Sequence, residues 1–170
     1  MTDHPHCLPT SAVAAPRELR SRAARMRQDA DFRHVRGQLL DAVGQLDRLL
    51  DRVQAAGADA PCRTWAHAVA ARFDELLDTG FADEEHRRFT RLQRQADAAA
   101  QQAVARLRLD HAWITANWWD LRPMLDSLAR GYCWVDTDTL RDAADLFTTL
   151  VREHVAQEAD LLDRTASLHS

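Results

Sequence analysis

The sequence predicts an all-α fold, an antiparallel four-helix bundle, from three observations. Apolar residues recur at steps of three and four along four separate stretches. Only 5 Gly and 5 Pro occur, and several of them fall in the short breaks between those stretches. Hydrophobic residues make up 46% and charged residues 28%, which suits a helical globular chain and excludes a disordered one. The 170 residues are enough for one domain with a substantial core. Residues 1–15, rich in Pro, Ser and Thr, read as a flexible tail, and residues 16–170 as the bundle.

The first helix is expected from about Arg17 to Ala56, its inner face formed by Phe32, Val35, Leu39, Val43, Leu46, Leu50 and Val53. The pattern is compatible with an interruption near Asp29. Gly57 to Pro61 breaks it, and Pro61 suits the first turn of the second helix. That helix is expected to reach about Gln95, with Val69, Phe73, Leu76 and Leu77 inward. The third covers roughly Ala98 to Ala129, with Val104, Leu107, Ile114, Trp118, Leu121 and Leu125 inward. Pro123 should bend it or remove one backbone bond, and Gly131 should stop it. Asp136 or Thr137 is placed to cap the fourth, which carries Leu140, Ala144, Phe147 and Val151. Short connections between four amphipathic helices favour antiparallel neighbours.

Composition narrows the function classes. A net charge of -4 gives little attraction for nucleic acid or an anionic membrane. No apolar run approaches the roughly 20 residues that span a bilayer. The start, MTDHPHCLPTSAVAAP, lacks a charged segment followed by an apolar one, so it does not read as a signal peptide. Cys7, Cys62 and Cys133 are odd in number and form no CxxC pair, which favours a reduced, cytoplasmic setting. Every cationic side chain is Arg, as a GC-rich bacterial genome produces, and this carries no functional weight.

The informative residues are the polar ones that interrupt apolar stripes. Projected at about 100° per residue, His111 falls in the series Val104, Leu107, His111, Ile114, Trp118. His154 and Glu158 continue Leu140, Ala144, Phe147, Val151, and Glu84 continues Phe73, Leu77, Gly80. Two imidazoles and two carboxylates therefore point inward from three helices. Burying two acids without a partner is costly, and a divalent metal offsets that cost. Imidazole with carboxylate suits iron, zinc or manganese.

These segments resemble the hemerythrin-like (HHE cation-binding) domains. Gly80-Phe81-Ala82-Asp83-Glu84-Glu85 is similar to the family's His-Phe-Ala-Asp-Glu-Glu on the second helix, and Asp110-His111 to its acidic-His pair on the third. Glu153-His154-Val155-Ala156-Gln157-Glu158 is similar to its fourth-helix Glu-His-x-x-x-Glu, and the likeness covers about Asp31 to Leu162. The resemblance implies a bundle holding a pair of irons that binds oxygen, senses it or iron, or handles nitric oxide and peroxide. Two positions depart from the pattern. Gly80 stands where the second-helix His is expected, and Phe32 where the first-helix His is expected. In the family those two His serve largely the same iron, so the resemblance implies one emptied half and one intact half.

The expectation is a non-haem metal site, with one iron or two or another divalent ion, on Glu84, His111, His154 and Glu158. Gly80 and Phe32 would shape the vacated side and leave room for a small ligand: O2, NO or peroxide. Two other readings stand beside it. One is a metal-free bundle acting as an interaction protein, its acids paired with His111 and His154. The other is an oxidase or oxygenase that takes an organic substrate into the vacated half. His34 lies roughly 200° beyond Phe32 and should face solvent unless the register shifts. His86 and Glu85 would replace Glu84 only if the second helix rotates, and His4, His6 and Cys7 read as incidental. Trp113 and Trp119 lie off the inner stripe and suit a homodimer contact, whereas Trp118 and Trp134 read as fillers of a core or an interface. The Arg-rich start, Arg17 to Arg27, reads as a solvated face.

Overall fold

The structure, a computed structural model, describes residues 16–95, 97–132 and 136–167. His4, His6, Cys7, Cys133, Trp134 and the expected tail lie outside the described residues. Four long helical stretches follow one another, with no strand among the described residues. Helix α1 is continuous over Pro16–Ala56, without a break at Asp29. Helix α2 begins as Ala60–Glu75, continues through two π-helical turns (Leu76–Gly80 and Glu84–Phe89) with Phe81–Asp83 between them, and ends as Thr90–Gln95. Helix α3 is Ala98–Arg130 and helix α4 is Thr137–Ser167.

Local chemistry sets these ends. Asp59 accepts from the Cys62 backbone N–H at 2.8 Å to open α2, with Pro61 in its first turn. Asp97 accepts from the Ala100 backbone at 2.9 Å to open α3, and Asp136 accepts from the Thr139 backbone at 3.0 Å to open α4. Gly131 closes α3 with φ at 75°, a left-handed conformation that glycine adopts without a steric penalty. Pro123 stays inside α3, which runs on to Arg130.

The chain divides into two compact units between Arg33 and His34. The N-terminal unit includes the first part of α1, where Arg20, Met26 and Arg27 are exposed and Phe32 is buried. The remainder of α1 and helices α2 to α4 form the second unit. Its cross-contacts run in opposite chain directions. His111 meets Glu85 while Trp118 and Arg122 meet Asp74, so α2 and α3 are antiparallel. His111 meets His154 while Trp118 meets Phe147, so α3 and α4 are antiparallel as well. Arg36 faces Glu158 and Arg141 reaches Asp51, which sets α4 against α1 in the same manner.

Two apolar clusters fill this second unit. The larger contains Leu46, Phe73, Ile114, Leu121, Leu125 and Phe147, and the smaller is Phe89, Leu92, Val104, Leu107 and Leu161. Full burial of such side chains contributes about 1.5–3 kcal/mol each. Between the clusters lies a polar layer. Along α3, His111 separates Leu107 of the smaller cluster from Ile114 of the larger, and along α4, His154 and Glu158 separate Val151 from Leu161. Along α2, Glu84 and Arg88 fall between Phe81 and Phe89. Trp118 is buried, while Trp113 and Trp119 are exposed, as their positions off the inner stripe predict. No described helix is long and apolar enough to cross a membrane.

Candidate metal centre

Three donor atoms converge in the polar layer. His111 Nε2 lies 3.3 Å from His154 Nε2 and 3.3 Å from Glu84 Oε2, and His154 Nε2 lies 3.8 Å from the same oxygen. All three residues are buried. Donors held about 2.0–2.2 Å from one ion, at angles of roughly 100–120°, stand about 3.1–3.8 Å apart. The observed triangle falls in that range, so its donor set fits a metal ion. Two imidazoles and one carboxylate on one face, with other positions open, is a donor set suited to non-haem Fe(II) and close to that of catalytic zinc.

The far sides of both rings face acids. His111 Nδ1 lies 2.8 Å from Glu85 Oε1. An ionised carboxylate only accepts, so Nδ1 donates, and this bond leaves Nε2 as the ring atom that faces the centre. His154 Nδ1 and Asp110 Oδ2 face each other at 3.9 Å, beyond hydrogen-bond range, and each is buried without another hydrogen-bond partner. Aromatic rings hold the first imidazole flat. Phe81 stacks on His111 at 3.9 Å with 7° between planes, and Phe89 lies 5.4 Å from it at 21°. Both phenyl rings thus pack against this buried imidazole.

Glu84 is divided between two environments. Its Oε2 faces the imidazoles, and its Oε1 accepts from Arg88 Nη1 at 3.1 Å. Burial would push its carboxyl up. Hydrogen bonds from His111 and His154, with the charges of His154 and Arg88, outweigh burial and lower it to about 2.

Of the four residues expected in the site, Glu84, His111 and His154 form one group of three donors, and Glu158 lies beside it against Arg88. Its Oε1 is in contact with Arg88 Nη1, and its Oε2 lies 3.9 Å from Arg36. The charge balance of the buried acids therefore differs from the sequence-based expectation. Arg88, 0% exposed, sits between Glu84 and Glu158 and supplies positive charge to both. The room expected beside Gly80 is also reduced. A Cβ on Gly80 would stand 3.3 Å from Val35 Cγ1, so Val35 already lines that position.

His34 is exposed and bonded to Gln38 at 2.9 Å, and His86 is exposed with Nδ1 2.8 Å from the Ala82 carbonyl. Neither joins the cluster. Two residues outside the expected set matter more. Arg88 lies one turn after Glu84 on the same stripe, which was a readable signal. Glu85 was not readable as a bond to His111. The π-helical turn Glu84–Phe89 brings successive side chains closer in angle than an α-helical projection allows, so Glu84 and Glu85 both reach α3.

The family model described as the Hemerythrin HHE cation binding domain matches residues 17–164. No curated protein and no solved structure matched the chain. With nearly the whole chain matched, and with a buried cluster of metal-binding residue types on its second, third and fourth helices, the protein belongs to the hemerythrin HHE cation-binding domain family.

Proposed function

We propose that this protein is a non-haem metal-binding protein, with iron as its metal, that binds, senses or reacts with O2, NO or peroxide. The observation that carries the reading is the triangle of Glu84 Oε2, His111 Nε2 and His154 Nε2, with separations of 3.3, 3.3 and 3.8 Å. Those three residues would hold the ion, and Glu158 would act through Arg88 instead of as a fourth donor. A bound iron would supply Lewis acidity and a redox couple. The chain's own residues fix the geometry. Glu85 holds His111 by its Nδ1, Phe81 and Phe89 pack against its ring, and Arg88 holds the second oxygen of Glu84. A reduced cytoplasmic compartment suits this chemistry and is supported by the buried, unbridged thiol of Cys62.

Iron-loaded protein kept without oxygen and then exposed to NO should change its visible absorption, and His154→Ala should abolish that change. An unchanged spectrum in the loaded wild type would refute the small-ligand function.

A metal-free interaction protein is the second reading. It is favoured by one observation: Arg88 and Arg36 already match the charges of Glu84 and Glu158. The two readings differ in a simple measurement, the rise in melting temperature on adding metal, which the second requires to be zero.

A further inference from the structure

One nitrogen, Arg88 Nη1, touches both buried acids. It lies 3.1 Å from Glu84 Oε1 and is in contact with Glu158 Oε1, with the Arg88 and Glu158 side chains 1% and 2% exposed. Arginine is almost never fully buried without such partners. The opposite oxygen of Glu84 faces the two imidazoles at 3.3 and 3.8 Å. Glu84 is thus a bridging carboxylate, with a guanidinium on one arm and the three-donor metal position on the other.

We infer that Arg88 is a resident cation that fills the second cation position of the centre, so that the protein takes one metal ion where the acid pair would otherwise admit two. The inference rests on the metal-binding reading above and adds what limits the count. Two physical points support it. A second ion between Glu84 Oε1 and Glu158 Oε1 would have to displace the Arg88 nitrogen that already touches both. It would also place a divalent charge against a guanidinium in a dry interior, where repulsion is weakly screened.

The experiment is a Mn2+ titration of purified protein, counting bound ions by the loss of the free-ion paramagnetic signal. Wild type should bind one ion per chain, with the spectrum of an isolated ion. Arg88→His removes the permanent charge and offers a neutral nitrogen beside the same two acids, so it should bind two, with the altered spectrum of a coupled pair. Two ions in wild type would overturn the inference while leaving the metal reading intact. One ion in a folded Arg88→His protein would also overturn it. No ion in wild type would overturn the metal reading and this inference with it, so zero against two distinguishes the failures. Should Arg88→His not fold, the wild-type count decides alone.

Discussion

His111 Nδ1 donates to Glu85 Oε1 at 2.8 Å, and this bond sets which nitrogen of the ring faces the centre. Partners of this kind orient the ring and raise its basicity, and their loss typically costs 10–100-fold in metal affinity. Glu85→Gln is therefore expected to weaken Zn2+ affinity by about 10–100-fold, measured by competition with a chelating dye. Equal affinities would show that Phe81 and Phe89 orient the ring unaided.

Arg88 between Glu84 and Glu158 is the next pressure point. Removing one partner of a buried ion pair typically costs about 3–5 kcal/mol, whereas replacing both with apolar groups costs far less. Urea unfolding of metal-free protein should show Arg88→Met destabilised by about that amount. Arg88→Met combined with Glu158→Leu should recover most of the loss. A single variant within about 1 kcal/mol of wild type would contradict the packing described here.

Much of this was legible in the sequence, and the exceptions have physical causes. The four helices followed from apolar periodicity, and several of their ends from Gly57, Pro61 and Gly131, because breakers act locally. His111, His154 and Glu84 were legible as polar residues on apolar stripes. The partner of Glu158 was not, because a stripe gives the direction of a side chain and not which of several inward neighbours it meets. Charge balance suggested that a metal offsets both acids, and the structure brings Arg88 against Glu158. Glu85 was considered only as a replacement for Glu84, and its bond to His111 was not legible because the π-helical turn departs from the assumed 100° per residue. Val35 was placed correctly on its helix, but its approach to Gly80 depends on how α1 and α2 pack.

The lowered carboxyl of Glu84 gives a pH dependence with a definite sign. Its folded value of about 2 lies below the ordinary value of 4.5. The associated stability is fully present above about pH 4.5 and is lost as pH falls toward about 2. Metal-free wild type should lose on the order of 3 kcal/mol through this group across that window. Glu84→Gln should flatten that part of the curve, as followed by urea unfolding at stepped pH. An identical acid slope in both proteins would show that other carboxylates carry the effect.

The most direct measurement is the metal content of Co2+-loaded protein after gel filtration, in wild type and five single variants. About one equivalent is expected in wild type, His34→Ala and His86→Ala, and almost none in Glu84→Ala, His111→Ala and His154→Ala. No cobalt in wild type, or full cobalt in His154→Ala, would contradict a centre built on these three side chains.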